Sequence, residues 1–260
     1  MPTTPRKRFG QHFLTDSAVL ESILAAISPE RDDRVIEIGP GTGVLTARLL
    51  ERLDHLVAVE LDRDLAKYLD SRFSGQPLSI IQEDILSTDL RSLPVPGNGG
   101  KLRIVGNLPY NISTPLLFHL LDSLDIIEDM LFMVQKEVAL RLVANAGERN
   151  YGRLSVMASL KLDCDYLFEV APQAFSPPPK VNSAVVHMRP RKPTIEPEDP
   201  ARLEMLVRNA FAQRRKTLRN ALSGMITREQ FEDAGIDGAA RAETLSPLEF
   251  LRLSEIGQSP

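Results

Sequence analysis

Between residues 34 and 136 the apolar side chains switch repeatedly between short unbroken runs and a helical period. RVIEIG (34–39), HLVAVEL (55–61), LSIIQE (78–83), LRIVGN (102–107) and MLFMVQK (130–136) have the length and continuity of buried strands. GVLTARLLERL (43–53), DRDLAKYLDSRF (62–73) and TPLLFHLLDS (114–123) space their apolar residues three and four apart, as amphipathic helices do. Ahead of them, Asp16 can cap a helix carrying Val19, Leu20, Ile23, Leu24 and Ile27 on one side. Strand alternating with helix predicts an α/β protein, a parallel sheet with helices on both faces.

The pattern then changes. A helix over RLSVMASLKL (153–162) is followed by DYLFEV (165–170), a proline-rich connection and SAVVHM (183–188). Two strands joined without helical patterning predict an antiparallel pair at the sheet edge, making seven strands in all. Four prolines in PRKPTIEPEDP (190–200) interrupt any regular element, so the domain boundary is expected there, with one domain over 1–190 and a helical one over 191–260. In the latter, Leu203, Val207, Phe211, Leu218 and Leu222 share one side of a continuous helical wheel. Arg208, Arg215 and Arg219 fall within about 40° of one another on its flank. Arg214 would point into the apolar side, so either the helix breaks near Gln213 or that arginine has a buried partner.

Composition bounds the function. Hydrophobic residues at 43% and charged residues at 25% are those of an ordinary soluble protein. No apolar run approaches the roughly 18 residues of a membrane span. The basic start MPTTPRKRFG lacks the apolar stretch of a secretory signal. Cys164 is the single cysteine, which excludes an internal disulfide and any multi-cysteine metal site and fits a cytoplasmic protein. A net charge of -4 argues against coating nucleic acid non-specifically. Within that acidic background lie two basic islands, Arg6, Lys7 and Arg8, and Arg208, Arg214, Arg215, Lys216 and Arg219, each of which alone fits solvated surface charge as well as a nucleic-acid contact.

Ligands of open α/β sheets bind at the carboxyl ends of the strands, so the residues just past each strand belong together. Past the first lie Gly39, Gly41 and Gly43, which let the backbone turn tightly and a ligand approach the main chain. The dinucleotide fingerprint needs a further glycine or alanine where Val44 stands, which disfavours NAD. Glu60 ends the second strand and can accept from both hydroxyls of a ribose. Asp84 follows the third and can accept from an adenine amino group. A nucleoside without a pyrophosphate suits this set, and S-adenosylmethionine is the common one.

The fourth strand ends in Gly106-Asn107-Leu108-Pro109-Tyr110-Asn111. An adenine N6 amine is a poor nucleophile because its lone pair is delocalised into the ring. The Asn107 amide oxygen and the Leu108 carbonyl, each accepting one N6 hydrogen, would favour a pyramidal nitrogen. Pro109 stiffens the turn, and Tyr110 offers a flat face for a base. Neither a metal nor a strong base is required, since the methyl donor is already activated.

The blocks KRFGQHFL (7–14), EIGPGTG (37–43), VELD (59–62), GNLPYNISTP (106–115), QKEVALRL (135–142), YGRLSV (151–156), FSPPPKVNSAVV (175–186) and FAQRRKTLRNAL (211–222) together resemble the KsgA/RsmA ribosomal RNA adenine dimethyltransferases over essentially the whole chain. The resemblance implies a Rossmann-like class I methyltransferase sheet with a small C-terminal helical domain. It also implies transfer of methyl groups from S-adenosylmethionine to N6 of two adjacent adenosines, in a hairpin loop near the 3′ end of 16S rRNA within the small ribosomal subunit. By position, His12, Leu14, Gly39, Glu60, Asp84 and Asn107 bind the cofactor, with Asn107 also on the target amine. Gly41 and Gly43 complete the cofactor loop, and Phe175 is a second stacking face opposite Tyr110. Arg6, Lys7, Arg8, Arg208, Arg215, Lys216 and Arg219 grip rRNA phosphates.

Three other readings share parts of this pattern: a large-subunit rRNA adenine methyltransferase, an assembly factor that binds immature small subunits, and a DNA adenine methyltransferase. QRRKTLRN and FSPPPKV disfavour the first. An intact NLPY turn and cofactor loop disfavour vestigial chemistry in the second, and the third more often carries D-P-P-Y at the turn.

Overall fold

In the computed structural model, residues 11–96, 100–192, 197–213 and 215–256 are described. Among the described residues nine strands form, β1 (Phe13–Leu14), β2 (Arg34–Ile38), β3 (Leu56–Val59), β4 (Leu78–Ile81), β5 (Leu102–Asn107), β6 (Ile127–Gln135), β7 (Leu162–Val170), β8 (Phe175–Ser176) and β9 (Ser183–Pro190). Seven of them make one sheet in the order β4-β3-β2-β5-β6-β9-β7. The pairs β3–β4, β2–β3, β2–β5 and β5–β6 are parallel, and β9 runs antiparallel to β6. The α/β seven-stranded sheet expected from the apolar pattern is therefore present, with β9 lying between β6 and β7. The short pair β1–β8 is separate, with Phe13 opposite Ser176 and Leu14 opposite Phe175.

The central strands read as unbroken apolar runs because they are covered on both sides. Val35 and Ile36 are both fully buried, as are Leu56, Val57 and Ala58. On one side, Leu20, Ile23, Leu24 and Ile27 of the helix Ser17–Ile27 pack with Val35, Leu56, Val105, Leu131 and Val185. Asp16 starts that helix by accepting from the main-chain N–H groups of Ala18 and Val19 at 2.8 and 3.1 Å.

The chain divides into two compact units, Met1–Ala139 with Asp165–Pro190, and Leu140–Cys164 with Arg191–Pro260. The second unit thus begins again after Pro190, but it also takes in residues 140–164, which the sequence assigned to the first domain. The reason lies in the helix Arg153–Lys161, whose Leu154, Val156, Met157 and Ala158 are buried. It contacts the helices Pro200–Ala212 and Pro247–Glu255, and a helical unit this small needs the added apolar face. Tyr151 Oη donates to the Leu245 carbonyl at 2.7 Å, and Phe211 sits between the rings of Tyr151 and Phe250.

Within this unit the single helical wheel drawn through residues 203–222 does not exist. The helix Pro200–Ala212 stops at Gln213, and a separate short helix, Leu218–Ala221, follows. Of the two resolutions open for Arg214, the break is the one found; Arg214 itself lies outside the described residues. Leu203, Val207, Leu218 and Leu222 are buried, as the wheel required, but from two helices. The alignment of Arg208 with Arg215 and Arg219, which needed one continuous helix, is lost.

Candidate functional site

The carboxyl ends of β2, β3, β4 and β5 open into one cleft. After β2 the chain turns through Gly39, Gly41 and Gly43 at φ of 65°, 59° and 76°, a left-handed conformation that side chains with a Cβ adopt at a cost. Gly39 and Gly41 line the cleft. A Cβ on Gly39 would stand 3.7 Å from Pro109 Cδ and 3.8 Å from the Asn107 carbonyl, so the glycine turn and the NLPY turn lie against one another. Gly43 does not line the cleft. It caps the helix Val44–Leu50, and a Cβ there would come within 2.6 Å of Phe73 and 2.7 Å of Leu69, so its glycine serves packing as well as backbone shape.

Glu60 is 7% exposed. Its Oε2 accepts from Gly41 N at 3.3 Å and its Oε1 from Asp62 N at 2.8 Å. The carboxylate keeps acceptor capacity beyond its main-chain bonds. Burial raises its carboxyl above the ordinary range, against the pull of those main-chain bonds. Asp84 is exposed and uses Oδ1 to accept from Leu86 N at 3.0 Å. Glu37 also lines the cleft and was not singled out in the sequence. It is 2% exposed, accepts from Thr46 Oγ1 at 2.7 Å, and is pushed up to about 7 by burial. The Glu60 charge adds to that rise. Its place two residues before Gly39 in an otherwise apolar strand was the available signal.

At the end of β5, Asn107 Nδ2 donates to the His12 carbonyl at 3.1 Å. Flipping the amide would set two acceptors against each other, so the bond fixes Oδ1 on the other side. Among the described residues neither Asn107 Oδ1 nor the carbonyl of Leu108 accepts a hydrogen bond. Two neighbouring acceptors are thus left open at a site where Leu108 is buried. The turn is held by Leu108 N donating to the Met133 carbonyl at 3.0 Å and by Ser113 Oγ donating to the Pro109 carbonyl at 3.0 Å. Gly106, also missed, explains how the strands close up here. A Cβ on it would lie 2.4 Å from the Ile38 carbonyl oxygen, and a glycine inside a strand pattern is the sign of such an approach.

Tyr110 lines the cleft half-buried, its ring stacked on that of His12 with centroids 5.5 Å apart and planes 28° apart. Leu14 and His12 both reach the cleft. Phe175 does not. It is 3% exposed, pairs with Leu14 across β1–β8, and belongs to the core packed around Ile23 and Leu24. That places the ring in the core and away from the cleft lining, where the sequence had set it opposite Tyr110. The ring found against Tyr110 is that of His12, and β1 is too short for apolar periodicity to reveal it.

The cleft lining contains Glu37, Glu60, Glu83 and Asp84 and, among the described residues, neither lysine nor arginine. That balance disfavours a phosphate-bearing cofactor and favours a cationic one. No group of three or more potential metal ligands occurs among the described residues. None of their helices is long and apolar enough to cross a membrane. Arg208, Arg215, Lys216 and Arg219 are exposed on the second unit, while Arg6, Lys7 and Arg8 lie outside the described residues.

Comparison with known proteins adds an independent line. Residues 3–259 match the family model described as ribosomal RNA adenine dimethylase. A ribosomal RNA small subunit methyltransferase A from Methylococcus capsulatus is 52% identical over 255 residues, covering 98% of each chain. Among solved structures, a dimethyladenosine transferase from Plasmodium falciparum superposes with a TM-score of 0.76 at 25% identity, over 93% of this chain and 96% of that one. The 23S rRNA methyltransferase ErmE gives a TM-score of 0.69 at 28% identity, over 94% and 98%.

Proposed function

The chain belongs to the ribosomal RNA adenine dimethylase family, and from that premise we propose that it transfers methyl groups from S-adenosylmethionine to N6 of two adjacent adenosines in a hairpin loop of 16S rRNA, within the small ribosomal subunit in the cytoplasm. One observation carries the reading: an asparagine amide whose nitrogen is committed to the His12 carbonyl, leaving Oδ1 open beside the open Leu108 carbonyl.

The cofactor supplies a methyl group on a cationic sulfur, already activated for transfer. The cleft suits it, since Glu60 and Asp84 offer acceptors for ribose hydroxyls and an adenine amine. Leu61, 47% exposed at the cleft, and the buried Ile85 are apolar neighbours for the adenine ring. Gly39 and Gly41 let the ligand lie against the main chain.

Asn107 Oδ1 and the Leu108 carbonyl accept the two N6 hydrogens of the target. This draws the amine out of conjugation with its ring and aims the lone pair at the methyl carbon. Once one methyl has been added, a single hydrogen remains and one acceptor suffices. The proton released after each transfer leaves to water, so no side chain need act as a strong base. Tyr110 supports the base by stacking, worth roughly 1–3 kcal/mol, and a loop adenosine is easier to unstack than a paired one. Arg208, Arg215, Lys216 and Arg219, with Arg6, Lys7 and Arg8, supply cations for rRNA phosphates.

The test is to incubate the protein with labelled S-adenosylmethionine and small subunits lacking the modification, then map the label. Two neighbouring dimethylated adenosines near the 3′ end of the small-subunit RNA are expected. Label confined to large-subunit RNA or to DNA, or none at all, would overturn the proposal.

A further inference from the structure

Tyr110 is tied at its far end by a residue outside the cleft. Its phenolic oxygen lies 2.8 Å from Ser183 Oγ. Ser183 opens β9, is fully buried, and stands opposite Gln135 in the β6–β9 ladder. Its Cα is therefore fixed by the sheet, and a one-carbon side chain leaves its hydroxyl little play.

A tyrosine ring held only at Cα can swing, and about 10° at χ1 carries its hydroxyl end by roughly 1 Å. Here the tip is bonded to Ser183 while one face rests on His12. The imidazole is itself anchored. His12 Nδ1 lies 2.8 Å from the Pro177 carbonyl, which can only accept, so Nδ1 carries the hydrogen. The bond also gives the buried Ser183 hydroxyl a partner.

We propose that Ser183 is a positioning residue for methyl transfer: its hydroxyl, bonded to the Tyr110 phenol, sets the plane of the ring and thereby where the target base stands relative to Asn107 Oδ1. The inference rests on the reading of Tyr110 as the platform for the base. A base displaced by a fraction of an ångström presents its amine at a poorer angle, so the transfer rate falls. Affinity for the ribosomal particle, spread over many other contacts, is held.

The test is a double-mutant cycle of wild type, Ser183→Ala, Tyr110→Phe and the double variant, with Tyr110→Ala alongside. Transfer to unmodified small subunits and thermal melting are measured for each. Each single variant is expected to lose about tenfold in kcat, with KM for the particle within about twofold of wild type. The double variant should be no slower than the slower single, because both changes remove the same bond. Losses that multiply to about a hundredfold in the double would overturn the proposal, as would Ser183→Ala or Tyr110→Phe at the wild-type rate. If Ser183→Ala does not fold, Tyr110→Phe reads the same bond from its other end. Full activity in Tyr110→Ala would sink the platform reading. Loss in Tyr110→Ala with full activity in both Ser183→Ala and Tyr110→Phe would sink only the role of Ser183.

Discussion

The two ends of β5 treat their polar groups in opposite ways. Near the amino end, Arg103 on β5 donates to Asp33 at 2.6 Å, to both oxygens of Asp129 at 2.9 and 2.8 Å, and to the Ile27 carbonyl at 2.7 Å. His187 lies 2.9 Å from Asp129 through Nε2, while its Nδ1 accepts from Arg189, which also reaches Asp165 at 2.6 Å. Burial works to raise the Asp129 carboxyl, but the Arg103 and His187 hydrogen bonds overrule it and hold it down at about 2. At the carboxyl end of the same strand, Asn107 Oδ1 and the Leu108 carbonyl are open, and on the neighbouring β2 Glu37 is pushed up to about 7. Saturated groups hold the sheet together, and open ones are available to a ligand. The difference teaches that, along this strand, chemistry is to be sought at the end whose acceptors are left open.

The sharpest way to separate the ends is to remove one group from each. Asn107→Ala should cut methyl transfer by about 10²–10³-fold, the scale of losing one placed polar group at a reacting centre, while the melting temperature barely moves. Asp129→Asn should do the reverse. It leaves Arg103 half-paired in a site where the side chains are 13–16% exposed, costing about 3 kcal/mol by denaturant titration, with transfer by the folded protein unchanged. Its pH signature follows from the lowered carboxyl. The stabilisation is complete above the ordinary value of 3.8 and is lost as pH falls through about 2. The variant's acid unfolding curve should be flatter over that interval. Retained transfer in Asn107→Ala, or lost transfer with intact stability in Asp129→Asn, would abolish the contrast.

Glu37 sharpens the comparison with the opposite sign. A buried carboxyl raised to about 7 favours the protonated folded state, so its contribution is full below 4.5 and is lost as pH rises through about 7. The difference of about 2.5 pH units corresponds to about 3 kcal/mol. Glu37→Gln, in the cofactor-free protein, should therefore flatten the fall in melting temperature between pH 4.5 and 7. The smallest effect is expected of His12→Ala. Asn107 is oriented by the main-chain carbonyl of that residue, so losing the imidazole removes only the stack on Tyr110 and the bond to Pro177. Transfer should fall about fivefold. A loss as large as that of Asn107→Ala would assign the orientation of the amide to the side chain.

Much of this was legible in the residues. The strand runs are buried on both faces and cannot alternate, so their boundaries were found within two or three residues. Gly39, Gly41, Glu60, Asp84 and Asn107 to Tyr110 line one cleft because the sheet gathers strand ends at one edge, and that gathering was readable from the strand order. What failed depended on contacts far apart in the chain. Phe175 lies in a two-residue strand whose partner is more than 150 residues earlier, and no local period shows which way it faces. Residues 140–164 look local to the sheet, yet their helix has its apolar partners in the C-terminal helices. The break at Gln213 was signalled only by the misfit of Arg214 on the wheel.

The bond from Asn107 to the His12 carbonyl has a further consequence, for synthesis. His12 precedes Asn107 by 95 residues and is itself held by the Pro177 carbonyl, 165 residues beyond it. A chain leaving the ribosome can build β2 to β5 and still lack the brace that turns the amide. The acceptor pair is set only when β8 has emerged and paired with β1, a contact of high sequence separation that forms late. The brace on the Asn107 amide is thus completed only when the rest of its unit has nearly all been made.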